Sequence, residues 1–457
     1  MTTPEVSSNP PIPTPLSPER ISTQAKGGGT RAVVQTVGAR LLIQVINAAT
    51  GILTARLLQP AGRGELAAMI LWSLFLAQLT TFGIPSSLVY FLRSRPDRRG
   101  DLITSGLVMA GVLGVVTAII GAVLMPEFIS KYPHWVIRDA QWLLVITPIC
   151  SLTFVGRAIL ESHGEFGASN LAQSLSPLTT LIALLFLVAL HRVTVLGAGL
   201  CYIIAIFPVA ALLAVRVFPY FDPAARISKS GCKLLLSYGV RSYWIDLLGT
   251  LSLQVDQVLV VSLLTAADMG LYVVMLSLSR MANVFQNAVT AVLFPKATGQ
   301  STERIRELTG RAARVSLTIT ACATFSIGVI GPGLLRIFYG KDYTSAAGCL
   351  RILLLEVTMS GLVFILAQAF MALDRPGTVS ILQGIGLGFS VPLMLLLIPR
   401  FGITGAAYAL LISTTARLCF ICAGFPIYLK IRVPDLRPRM DDYTSLVRSL
   451  KRSTQKP

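Results

Sequence analysis

Arg40, Gln44 and Asn47 recur at i, i+4 and i+7 in an otherwise apolar stretch, so on a helix they form one polar stripe. Arg280, Asn283 and Asn287 repeat the arrangement at i, i+3 and i+7 in the second half of the chain. A guanidinium flanked by amides is rich in donors, and its planar fork suits phosphate oxygens. Asp246, Thr250 and Gln257 share one face of another apolar stretch, with Asp256 turned aside by roughly 80° at 100° per residue. A further stretch carries Glu356 and Gln368. Charges in such surroundings are costly and must pair or face water. For Arg40 and Arg280 the amide stripes favour a water-filled cavity, and ion pairing with Asp246 or Asp256 is the alternative. Asp256 and Glu356 stand open between a proton or cation site and ion-pair glue. Arg157, Arg216 and Arg241 sit toward the ends of their stretches and read as snorkelling side chains, and Gln78 as an interhelical hydrogen bond.

Nothing in the chain gathers into catalytic or metal-binding groups. His134, His163 and His191 are scattered, and of the seven cysteines only Cys419 and Cys422 have C-x-x-C spacing. No second pair or histidine accompanies them within the last apolar stretch, so small apolar packing is the better reading. Glu161 and Glu165 flank Ser162-His163-Gly164, which reads as a polar turn. The expectation is a protein that is not an enzyme and has no metal and no cofactor.

The elements that hold these residues are membrane helices. Hydrophobic residues make up 54% of the chain and charged ones 13%, about half the share usual in soluble domains. About twelve continuous apolar blocks of about 20 residues or more fall between residues 32 and 427, each able to cross a hydrocarbon core. Barrel strands would alternate instead. The fold expected is all-α and integral to the membrane. It divides into a disordered tail 1–30, a six-helix bundle 31–218, a second bundle 219–428 and a basic tail 429–457. The inner connection Ser301 to Arg314, with alternating charges around Ile305 and Leu308, reads as a short helix lying on the membrane surface. No connection is long enough for a separate catalytic domain.

The net charge of +18 is distributed as topology rather than as a nucleic-acid surface. Counting loops from the N-terminal tail, the odd-numbered ones hold about 24 Lys and Arg against about eight on the other side, which places both termini in the cytoplasm. Anionic lipid headgroups, not nucleic acid, are the partner that this charge implies.

The halves also echo each other. Leu57-Leu58-x-x-Ala61-x-x-Gly64 and Leu263-Leu264-x-x-Ala267-x-x-Gly270 are offset by 206 residues, close to six helices. An even number of crossings per half makes the repeats parallel, with a site between them and alternating access by rocking. Prolines 85, 148, 177, 208 and 392 and Gly384-x-Gly386-x-Gly388 permit the bending this needs.

Several segments resemble bacterial oligosaccharide and polysaccharide flippases. They are Ala55-Arg56-Leu57-Leu58-Gln59-Pro60-Ala61-Gly62-Arg63-Gly64-Glu65, Val255-Asp256-Gln257-Val258-Leu259-Val260, Leu373-Asp374-Arg375-Pro376-Gly377 and, most strongly, Leu397-Ile398-Pro399-Arg400-Phe401-Gly402-Ile403-Thr404-Gly405-Ala406-Ala407. The resemblance covers residues 30–430 and implies the multidrug/oligosaccharidyl-lipid/polysaccharide exporter superfamily. It implies two bundles forming a V with pseudo-twofold symmetry around a cationic cavity. It also implies an undecaprenyl-diphosphate-linked oligosaccharide as substrate in the bacterial inner membrane, with polysaccharide polymerase and assembly proteins as further candidate partners. Arg40 and Arg280 match the family's cavity arginines by helix and depth, and Arg63 by local motif only. Met394 departs from the pattern, since family members often have Asn there, and the two further helices usual in lipid II flippases are absent.

Two other readings compete. An ion-coupled multidrug or metabolite exporter of the same fold would let carboxylates and aromatics outweigh arginine in its cavity. A non-transporting scaffold for polysaccharide assembly would fill that cavity with apolar side chains.

Overall fold

The computed structural model describes residues 29–437 apart from residues 284, 285, 287, 288, 291, 292, 294–296, 298, 299 and 374; the side chains of 29–37, 39, 40, 241, 242, 244–246 and 376 are also outside the description. The described chain is helical, without strands. The first half comprises α1 (Gly29–Leu79), α2 (Ile84–Ser94), α3 (Arg99–Phe128), α4 (His134–Leu143), α5 (Thr147–Ser162), α6 (Phe166–Ala189), α7 (Val195–Ile204) and α8 (Ile206–Val217). The second comprises α9 (Lys229–Leu263), α10 (Ala266–Arg280), α11 (Thr302–Leu334), α12 (Ala347–Ala372) and α13 (Pro376–Tyr428). Eight stretches of the described residues are long and apolar enough to cross a membrane. Their outward faces carry Val123, Phe186, Phe325 and Leu395, each about half exposed or more, as an all-helical surface against lipid requires.

Two of these stretches exceed one crossing. Leu41–Ser94 holds 54 residues and Gly377–Tyr428 holds 52, against about 20 for a single span. The first is broken at Gln59, whose φ of 60° and ψ of 175° are not helical, just before Pro60, which disfavours helix in its predecessor. The second breaks at Gly402, at φ 58° and ψ −139°. There the chain reverses. A Cβ on Gly405 would sit 3.0 Å from the Ile398 amide nitrogen, whereas seven residues along a straight helix span about 10 Å.

Helices α9 and α10 join at Leu264 and Thr265. Thr265 caps α10 by accepting from the Asp268 amide, and Asp268 returns the bond to the Thr265 amide, a complete capping box. The expected separate surface helix at 301–314 is corrected. Ser301 caps a helix that runs without a break from Thr302 to Leu334, because neither proline nor an unsatisfied turn interrupts it before Pro332.

The buried clusters lie partly within and partly between the two halves. One joins Ile84, Leu102, Ile159 and Leu213 with Leu235 of α9. Another joins Leu293, Ala313, Leu366 and Phe425. The largest draws on both, packing Met69, Trp72 and Leu143 with Val260, Met275, Leu353 and Ala406. Helix α9 therefore packs its first turns on the first half and its last turns in the shared core.

Candidate functional site

The halves approach closely at two places. At one, α2 meets α9: a Cβ on Gly83 would fall on the Gly239 carbonyl, and Ser87 donates to the Leu235 carbonyl at 2.8 Å. The other is the face where α1 meets α10. Gly64 of α1 and Gly270 of α10 stand opposite. A Cβ on Gly64 would fall on the Ala266 carbonyl and 2.8 Å from the Gly270 nitrogen, and one on Gly270 would fall on the Pro60 carbonyl. Small residues four apart allow such backbone approach between membrane helices. Side chains fasten the same face. Arg56 donates to the Phe338 carbonyl at 2.8 Å and to that of Ile337, Tyr343 donates to the Ala55 carbonyl at 3.2 Å, and Lys131 donates to the Leu263 carbonyl. Tyr132 is buried beside them, and burial, with Asp268 and Glu65 adding, pushes its hydroxyl well above the usual tyrosine range.

Away from this face both halves line a cavity of about 630 Å3. Its walls come from the end of α1, from α2 and α5 on one side, and from α9 and α13 on the other. Gln78 in its wall lies about 20 Å along the helix from Gly64 at 1.5 Å per residue. Polar groups line the walls: Gln78, Arg157, Glu161, Thr250 and Gln383. Arg157 and Glu161 lie one turn apart on α5 with N···O 3.7 Å, and both side chains are about one-third exposed or less. Ser169 bridges them, accepting from Arg157 Nε at 3.4 Å and donating to Glu161 Oε1 at 2.6 Å. Gln254 of α9 donates to Gln78 Oε1 at 2.8 Å, the interhelical bond expected of Gln78, here made between halves.

Behind this cavity the second half holds a chain of polar groups. Asp256, only 1% exposed, accepts from Tyr272 at 2.9 Å and from Arg280 at 3.3 Å. Arg280, 32% exposed, also reaches the carbonyl of Leu253, whose residue lines the cavity. Glu356 accepts from Thr414 at 2.7 Å, and Thr414 accepts from Arg417 at 2.8 Å. Gly386 leaves the room that Arg417 fills, since a Cβ there would lie 2.6 Å from Arg417 Cδ. One oxygen each of Asp256, Asn283 and Gln383 is buried without a partner among the described residues.

The residues singled out from sequence are therefore divided. Asp256 is buried and ion-paired with Arg280, and half-buried Glu356 bonds to Thr414, which Arg417 also reaches. Gln44 is half-buried and Asn47 exposed. Arg40, Asp246 and Asn287 lie outside the described residues or side chains. Sequence reasoning set aside Arg157 and Glu161, one as snorkelling and one as part of a turn, yet their i, i+4 spacing at a helix end already marked a shared face. Glu165 does serve the turn, taking the hydroxyl of Tyr220. Arg417 carries no signal of its own in the sequence beyond Gly386, the small residue it packs on. Met394 is fully buried beside Ser390, so an apolar side chain fills the position where Asn was expected. All seven cysteines are free, and no group of three potential metal ligands occurs among the described residues.

Known proteins share this architecture. A family model described as "Polysaccharide biosynthesis protein" matches residues 53–348. The "Probable low-salt glycan biosynthesis flippase Agl15" of Haloferax volcanii is 27% identical over 154 residues, and the match spans 33% of either chain. Among solved structures, the lipid II flippase MurJ in an inward closed conformation superposes with a TM-score of 0.75 at 15% identity, over 90% of this chain and 89% of that one. An inward-facing multidrug resistance MATE family transporter of the MOP superfamily superposes at 0.68 with 16% identity, over 86% and 98%.

Proposed function

Because this chain belongs to the polysaccharide biosynthesis protein family, we propose that it flips an undecaprenyl-diphosphate-linked oligosaccharide across the bacterial inner membrane for surface polysaccharide biosynthesis. Counting the bends at Gln59 and Gly402 as turns at the membrane surface, and adding α9 and the helix that begins at Ala266, extends the eight long stretches to twelve crossings. They form two six-helix halves, 31–218 and 219–428, with both termini on the basic, cytoplasmic side. The face fastened by Gly64 and Gly270 is then the outer one, and the polar cavity lies on its cytoplasmic side.

The observation that carries this reading is a polar cavity lined by both halves, set apart from the close Gly64–Gly270 contact. Flipping breaks no bond. It requires a wet, hydrogen-bonding space for the sugar diphosphate while the lipid tail stays in the bilayer. Arg157 offers a guanidinium to phosphate, held meanwhile by Glu161, and Arg280 lies behind the wall, bonded to the carbonyl of the lining residue Leu253. The cavity becomes cationic when Arg40 joins them from the first helix, with Gln44, Asn47, Asn283 and Asn287 as amide partners for sugar hydroxyls. Buried Asp256 and half-buried Glu356, with Asp246, take up the coupling proton or cation as the halves rock. An open cavity runs against a filled, non-transporting scaffold.

Arg40→Ala, Arg157→Ala and Arg280→Ala, each expressed in a matched deletion strain, test the proposal. Export of surface polysaccharide falls at least tenfold in each while the protein still inserts. Full complementation by all three would overturn it.

A second reading, an ion-coupled exporter of small molecules, is favoured by one observation: Asp256 is buried and ion-paired with Arg280 at 3.3 Å, and Glu356 accepts from Thr414, which Arg417 also reaches. Proteoliposomes separate the two. Uptake of lipid-linked sugar without uptake of cationic drugs supports the flippase, and the reverse supports the exporter.

A further inference from the structure

A second polar cavity, sharing no lining residue with the central one, lies where α11 and the C-terminal segment leave the membrane on the same face. The segment 429–437 is docked rather than loose: Ile431, Val433 and Leu436 pack beside Leu308 and Ala312 of α11. Gly310 allows this close approach, since a Cβ there would stand 3.2 Å from Pro434 Cβ. Between the two elements is a cleft of about 320 Å3.

Four arginines line it, Arg304, Arg306, Arg311 and Arg314, against the two carboxylates of Glu307 and Asp435. Arg314 is 8% exposed, and its Nη1 donates to the Asp435 carbonyl at 2.6 Å, so a guanidinium forms part of the wall. Asp435 turns its own carboxylate to the Arg437 amide at 3.0 Å, which draws that negative charge aside. Glu307 is engaged by Arg304 at 3.0 Å, and Arg306 is engaged by Glu303 outside the cleft. Arg304, Leu308 and Arg311 follow one another at i, i+4 and i+7, so they share one helix face. The same helix runs on toward Leu334 as an apolar crossing, which puts the cleft at the level where lipid phosphates lie.

We propose that this cleft binds a phosphate ester, and that the bilayer's own anionic phospholipid headgroup supplies it. Guanidinium groups converging from one helix, with a buried one in the wall, match a phosphate's several acceptor oxygens. The docked C-terminal segment completes the site, so binding also fastens that segment to α11. Nothing in the proposal uses the central cavity, and its failure leaves the flippase reading untouched.

The full chain in nanodiscs tests it. Thermal stability is compared in phosphatidylcholine alone, in phosphatidylcholine with phosphatidylglycerol, and in phosphatidylcholine with added inorganic phosphate. The wild type is expected to gain stability with phosphatidylglycerol. Arg304→Gln combined with Arg311→Gln, which spares the Arg314 bond to Asp435, is expected to need about tenfold or more phosphatidylglycerol for the same gain. Stabilisation by inorganic phosphate that the double variant loses supports the site and assigns it to free phosphate instead. An equal gain in wild type and variant, or no gain with either ligand, overturns the proposal. Arg336→Gln, at the opposite end of α11's crossing, is the control and keeps the wild-type response.

Discussion

Gly64 and Gly270, separated by 206 residues in sequence, each press against the backbone four residues before the other, Gly64 on Ala266 and Gly270 on Pro60. The same offset relates Pro60 to Ala266, so the two contacts exchange under the internal repeat. The fastening side chains nearly do the same. Lys131 reaches Leu263, and adding the offset to Lys131 gives Ile337, a carbonyl that Arg56 reaches. A local twofold axis between the halves therefore passes close to this glycine pair.

Gly64→Ala and Gly270→Ala should each disrupt the crossing, because the added carbon meets main chain rather than a movable side chain. The cost should be at or above the upper end of the about 1–3 kcal/mol typical of overpacking. Thermal unfolding in detergent measures it. Gly111→Ala is the control, since nothing lies within 4 Å of its Cβ position. Equal stability of all three variants would contradict the close approach.

Arg280→Ala should be more damaging than its partly exposed position suggests. It leaves the Asp256 carboxylate buried with Tyr272 as its remaining partner. Loss of one partner from a buried pair costs about 3–5 kcal/mol, toward the lower figure here because Arg280 is itself about one-third exposed. Adding Asp256→Asn should recover most of that stability without recovering transport. Both are read by unfolding and by complementation.

At Arg157 the expectation is the opposite split. The pair with Glu161 is open to the cavity, so its contribution to stability is about 0–1 kcal/mol. Arg157→Gln should therefore unfold within a few degrees of wild type and still lose transport. Glu161→Gln frees the guanidinium and should tighten binding of soluble diphosphate esters, measured by titration calorimetry.

Arg56→Ala and Lys131→Ala, made together, remove two charged donors from the closed face. Hydrogen bonds from charged groups are worth about 1.5–3 kcal/mol each. The equilibrium should shift toward opening there. Met269 is fully buried at that face. A Met269→Cys reporter in a cysteine-free background should label at least tenfold faster with a membrane-impermeant maleimide when both donors are gone. An unchanged rate would mean that they do not hold the face shut.

Much of this protein is written in one dimension. Continuous apolar blocks dictate membrane helices, because a backbone in lipid must satisfy its own hydrogen bonds. Thr265 and Asp268, spaced as a capping box, fix the start of α10, and the paired Leu-Leu-x-x-Ala-x-x-Gly segments expose the repeat. These are local features, and local chemistry suffices for them. Which charges meet is a different matter. Arg280 and Asp256 come together because α9 and α10 run back to back, and Arg157 faces a cavity because α5 meets α2, α9 and α13 there. Gln78 finds Gln254 only across the two halves. Hydropathy records how apolar a stretch is but not which side of it a neighbouring helix covers. The line between a snorkelling arginine and a cavity arginine was therefore drawn by packing alone.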